Sequence, residues 1–168
     1  MRPVFAILAA LSASACSAAF DGQTYRGDGF GFQVPTAPTE WRAIEVSHAA
    51  VAYADPGSEG VVMVNGRCDR DGEDVPLRSL TQHLFIRFTE RETISEEVVP
   101  FDGREAMRTQ ATAKLDGVPH RFLVWVLKKD RCVYDLVYFS APEKFDAGAG
   151  RFDAWARGFT ALPREVDP

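Results

Sequence analysis

The chain has 168 residues, 46% of them hydrophobic and 26% charged, with a formal net charge of −5. These values are ordinary for one soluble globular domain. The acidic balance and the lack of any basic stripe exclude nucleic acid as an expected partner.

Met1-Arg2, the apolar run Val4 to Leu11 and the small residues Ala13-Ser14-Ala15 form the three parts of a secretory signal, so residues 1–15 are set apart from the fold. The run is shorter than the roughly 20 residues a membrane-spanning helix needs. Ala13-Ser14-Ala15-Cys16 resembles a bacterial lipobox, with Ala13 where the pattern usually carries Leu and Leu11 two residues too early. That resemblance implies acylation of Cys16, a bilayer partner, and a short tether over residues 16–23. Two or three acyl chains anchor stably where one binds only marginally. Ser17 would favour the outer membrane if the sorting habit of such lipoproteins holds. Cleavage after Ala15 or Ala19, releasing a soluble periplasmic or secreted protein, stays open.

Of three cysteines, assigning Cys16 to lipid leaves Cys68 and Cys132 as a disulfide candidate in an oxidising compartment. A free, nucleophilic thiol at either position is the competing reading. Loss of Arg2 with the signal takes the mature chain to about −6.

A single domain is expected over residues 24–163. Thr24 to Pro35 reads as two short strands around glycine turns. Gly27, Gly29 and Gly31 do not make a phosphate loop, because no helix pattern follows and Pro35 intervenes. Trp41 to Val46 and Val51 to Ala54 fit short strands, and Val61 to Asn65 a more apolar one leading to Cys68. The acidic loop Asp69 to Asp74 has its glycine fourth, where an EF-hand needs it sixth, and Leu80 stands at the twelfth position. It reads as a solvated turn whose Asp74 caps a helix announced by Pro76. From Leu77 to Phe88 the apolar period is helical. His48, His83 and His120 lie in separate segments without metal-ligand spacing and read as surface residues, so no metal or cofactor is expected.

Ile94 to Val99 and the alternating Arg104 to Lys114 are predicted strands, and Asp116-Gly117 is a hairpin turn into Val118 to Leu127. The core of the prediction is the stretch Arg121 to Phe139. Phe122 to Leu127 is an unbroken apolar run, read as a strand covered on both faces, and Lys128 to Arg131 folds Cys132 to Phe139 back beside it. Phe145, Ala149, Phe152, Ala156 and Phe159 then mark a closing helix with Trp155 beside its stripe. Residues 164–168 form a frayed tail.

The expected class is α+β: a curved antiparallel sheet with one mid-chain and one C-terminal helix packed on it. The aromatic-glycine start Tyr25…Gly29-Phe30-Gly31-Phe32-Gln33-Val34-Pro35…Trp41 and the close Tyr134-Asp135-Leu136-Val137-Tyr138-Phe139…Phe145…Phe152…Phe159 resemble the PsbP-like fold, which small bacterial lipoproteins also share. A cystatin-like or NTF2-like sheet is the alternative. The resemblance implies a non-catalytic binding or assembly module of the cell envelope, acting on an envelope protein or small ligand, and it carries over no functional residue. Two other function classes remain: a small periplasmic hydrolase or thiol enzyme, and a soluble carrier with a cavity lined by Trp41 and Trp125. The chain lacks Gly-x-Ser-x-Gly, His-Glu-x-x-His and Cys-x-x-Cys motifs, leaving scattered groups such as Cys68, Cys132, His120 and Asp135. Asp135 interrupts an apolar strand, and Arg104, Arg108 or Arg121 is the expected structural partner. Trp41, Asp135 and His120 are thus the ligand or partner candidates.

Overall fold

The β-forming runs of the sequence become strands in the computed structural model, which describes residues 19–27, 29–68 and 75–163. Residues 1–15, read as a signal, Cys16, residues 69–74, read as a turn with Asp74 as helix cap, and residues 164–168, read as a tail, lie outside the described residues. In chain order come β1 (Ala19–Phe20), β2 (Thr24–Gly27), β3 (Phe30–Gln33), β4 (Arg42–Ala43), β5 (Val51–Asp55), β6 (Gly60–Cys68) and α1 (Leu77–Leu84). They are followed by β7 (Thr89–Phe101), β8 (Arg104–Leu115), β9 (Val118–Lys129), β10 (Cys132–Ser140), α2 (Phe145–Ala156) and β11 (Thr160–Ala161).

Seven strands form one antiparallel sheet in the order β4-β5-β6-β10-β9-β8-β7, and β1-β2-β3-β11 form a second, smaller one. Turn chemistry sets the large sheet. Asp102-Gly103, Asp116-Gly117 and Asp130-Arg131 all take positive φ (45° and 73°, 50° and 82°, 52° and 63°). Two consecutive left-handed residues make a turn whose twist matches the strands it joins. The four strands β7 to β10 are thereby a meander, and their register runs from Thr89 opposite Lys114 to Cys132 opposite Lys129.

The two faces of the central hairpin explain its unbroken apolar runs, since both are covered. On one face Leu123, Trp125, Leu127, Tyr134, Leu136 and Tyr138 pack against α2 and the small sheet. On the other, Phe122, Val124, Val126 and Val133 pack against Leu80 and Phe85 of the α1 region. Full burial of each such side chain contributes about 1.5–3 kcal/mol. The closing helix is held by more than its stripe. Trp125 Nε1 donates to Asp153 Oδ1 at 3.2 Å and Arg108 Nε donates to the same oxygen at 2.8 Å.

Several elements differ from the sequence reading. The first helix ends at Leu84 rather than Phe88, because Phe85 leaves the helical region (φ −101°, ψ 12°) and turns inward. Phe88 still packs edge-on against Phe85 and Phe122. Pro76 itself is the N-cap residue of α1, with no side-chain cap. The strand expected over Trp41 to Val46 shrinks to Arg42–Ala43. Phe159 lies past the end of α2 but remains buried against Phe32, Phe101 and Tyr134. Thr160–Ala161 pairs with β3, and Ala19–Phe20, within the stretch read as tether, pairs with β2.

Candidate functional site

Trp41 sits just before β4, and its ring meets Tyr53 at 5.8 Å and Trp155 at 5.4 Å between ring centroids. Tyr53 is inward-facing on β5 and Trp155 on α2, so three separate elements converge on one aromatic wall. Trp155 Nε1 donates to the Pro35 carbonyl at 2.8 Å, while the buried Trp41 Nε1 finds no acceptor among the described residues. Burial raises the Tyr53 phenol above its ordinary value. The far side of this wall borders a half-open groove of about 220 Å3 lined by Phe20, Ala43, Ile44, Val46, Ala49 and Tyr53, among others. Its side chains are apolar apart from Glu45 and the Tyr53 phenol, and backbone polar groups are also exposed in it.

Asp135 is 5% exposed and accepts a 2.6 Å hydrogen bond from Arg67 Nη1. The partner comes from β6, not from Arg104, Arg108 or Arg121 as expected. Strand order explains this: β6 flanks β10 on the side away from β9, and Asp135 stands opposite Asn65 there, a diagonal step from Arg67. Arg108 and Arg121 are turned to the other face, where they meet Asp153 and Asp146.

His120 is half-buried rather than a surface residue. Its ring lies edge-on to Phe122 and Phe139, and Nδ1 has no partner among the described residues. Asp135 pairs in register with Val126, six positions along β9 from His120. That separation is about 20 Å, so these two groups cannot act as an acid–base pair.

Cys68 and Cys132 face each other across β6 and β10, with Cα atoms 4.0 Å apart, and are joined by a disulfide. Neither thiol is free as a nucleophile. No group of three or more His, Cys, Asp or Glu residues among the described ones is arranged to hold a metal ion.

Sequence reading missed a polar node under α2. Ser58 Oγ donates to Asp55 Oδ2 at 2.8 Å, and Arg151 bridges Asp55 (3.2 Å) to Glu40 (2.6 Å). The turn signal Asp55-Pro56-Gly57 marked the place without revealing Arg151, which arrives from nearly a hundred residues away. Ser58 is wholly buried beneath Gly148 and Tyr138. A serine so enclosed, with no base beside it but a carboxylate engaged by arginine, staples the turn to the helix. Glu40 is held below the usual carboxylate range by its own backbone N–H and then by Arg151. The groove was missed too, since residues 43–50 carry no motif.

No family model matches the chain, and no curated protein matches it in sequence. Solved structures do share its architecture. Cyanobacterial PsbP (CyanoP) from Synechocystis sp. PCC 6803 superposes with a TM-score of 0.55 at 15% identity, covering 89% of this chain and 98% of that one. LpqN of Mycobacterium tuberculosis, described as involved in cell envelope biogenesis, gives 0.54 at 14% identity over 79% of this chain and 83% of its own. A protein from Bacteroides thetaiotaomicron VPI-5482 gives 0.56 at 11% identity, and this chain spans about half its length, 52%. At such identities the likeness is one of fold. By element order, sheet topology and these superpositions, the chain has an α+β fold of the PsbP-like kind.

Proposed function

We propose that the protein is an exported lipoprotein, anchored in the cell envelope through acylated Cys16, that serves as a non-catalytic binding or assembly module. The Cys68–Cys132 disulfide carries the reading. Stable disulfides belong to oxidising compartments, and this one uses both cysteines other than Cys16, the residue that directly follows the signal-like segment. The similarity to LpqN, a protein of cell envelope biogenesis, supports the same compartment. No helix among the described residues is long and apolar enough to cross a membrane. The candidate residues do not assemble into catalytic geometry: Asp135 and His120 are far apart and the thiols are bonded. A groove of about 220 Å3 is also smaller than the roughly 300–1,000 Å3 of small-molecule sites, which favours a macromolecular or membrane surface over a carried ligand.

The test is radiolabelled palmitate fed to cells making the wild-type chain or Cys16→Ser. Label is expected in the wild type alone. Equal labelling of both chains, or none in either, would refute the anchor. Affinity capture of the wild-type protein from native envelope membranes, absent a stoichiometric companion, would count against the assembly role.

A further inference from the structure

We infer that the end of the domain formed by β1 and the β4–β5 loop lies flat against the bilayer, with the groove between them opening onto lipid. The inference rests on the anchor proposed above and deepens it. Ala19 is already hydrogen-bonded into the small sheet, opposite Arg26, and Cys16 stands three residues before it. Three residues of chain reach no further than about 10 Å, whatever their conformation. An acyl group inserted at Cys16 therefore brings whatever surrounds β1 within that distance of the membrane.

What surrounds β1 suits a lipid surface. Phe20 and residues 43–46 and 49–53 line the groove, Ile44 at its rim is 37% exposed, and Val46, Ala49 and Ala50 are half-buried around it. The apolar side chains of this depression gain from contact with acyl chains, and its polar backbone groups suit the headgroup level. Arg42 of β4 is exposed beside the groove, a placement that favours anionic headgroups, while the exposed Asp21 follows Phe20 on the other side. Glu45 is the one acidic residue of the lining. The other exposed large apolar residues among those described, Ile86 between α1 and β7, Ile94 and Val98 of β7, Leu115 of β8 and Val118 of β9, lie on or beside the β7–β9 half of the large sheet, remote in strand order from β4 and β5, and would be held away from the membrane.

Hydrogen exchange of the purified lipoprotein on phosphatidylethanolamine/phosphatidylglycerol vesicles tests this against the soluble Cys16→Ser chain mixed with the same vesicles. Amides of residues 43–50 are expected to exchange at least threefold more slowly in the anchored protein, with those of Thr89 to Val99 unchanged. Unchanged exchange at 43–50 in vesicle-bound, palmitate-labelled protein overturns the orientation while leaving the anchor standing, as does protection centred on β7. A second form of the chain, with a histidine tag in place of residues up to 18 and bound to nickel-chelating lipid, separates the two ideas. Protection at 43–50 on this artificial anchor, with no palmitate label on the natural one, would support the surface and refute the lipidation. Absence of protection on both anchors overturns the surface.

Discussion

Arg67 and Asp135 are diagonal neighbours on β6 and β10, and their side chains meet at 2.6 Å where the carboxylate is almost wholly buried. A carboxylate in that position is tolerable only when paired, because taking a charge out of water costs several kcal/mol. The pair therefore answers what an aspartate is doing in the middle of the most apolar strand of the chain.

Removing one partner should be worse than removing both. Arg67→Met is expected to destabilise the fold by about 3 kcal/mol, at the low end for buried pairs because Arg67 keeps a quarter of its side chain exposed. Arg67→Met combined with Asp135→Leu should recover most of that loss. Urea titration followed by tryptophan fluorescence measures both, and a double mutant no better than the single would show that the pair is not the reason for the arginine.

Reduction of the disulfide should be felt across the whole domain. The bond closes a span of 64 positions, so its loss is expected to cost about 4 kcal/mol in the chain-entropy account. Cys68→Ala/Cys132→Ala should unfold at a correspondingly lower urea concentration. Thiol titration of unfolded Cys16→Ser protein should detect no free thiol before reduction and two after it.

Two glycines of the same helix should respond with opposite signs. A methyl group at Gly148 would overlap Tyr138 Oη and Ser58 Oγ, whereas one at Gly150 meets nothing within 4 Å. Gly148→Ala is expected to destabilise by about 1–3 kcal/mol through overpacking. Gly150→Ala should stabilise by up to about 1 kcal/mol, the helix-propensity difference between the two residues. Thermal unfolding by circular dichroism decides both.

Acid should weaken the staple beneath α2. The Glu40 carboxyl sits below its ordinary value in the folded protein, through its own backbone N–H first and Arg151 second. A depressed folded value means that the contribution is present above the unfolded value and is lost as pH falls through the folded one. Glu40→Gln should therefore unfold at lower temperature than wild type near neutral pH, and the gap should close as pH drops below about 4.5, the usual glutamate value. A gap that stays constant down to pH 3 would assign the effect to shape rather than charge.

How much of this was legible beforehand differs by element. The hairpin arms Phe122 to Leu127 and Cys132 to Phe139 could be read from composition, since only a doubly covered strand tolerates such runs. The Asp-Gly turns named their own geometry, and cysteine parity led to the bonded pair. Helix faces followed from spacing. These are local properties, carried by neighbours within a turn or a strand.

Other features were invisible. Nothing in Thr24 to Gln33 says that its strands join β11 and cover the large sheet as a separate layer rather than extending it. Nothing near Asp135 names Arg67 over three other arginines, and Arg151 is paired with Asp55 and Glu40 only because α2 crosses above the β5–β6 turn. The sequence alone determined most of the secondary elements, the two cysteines available to pair and the fold class, because propensity, periodicity and turn chemistry act over a few residues. Strand order, the partners of buried charges and the groove beside Phe20 were decided by tertiary structure, because each depends on which distant segments the sheet brings side by side.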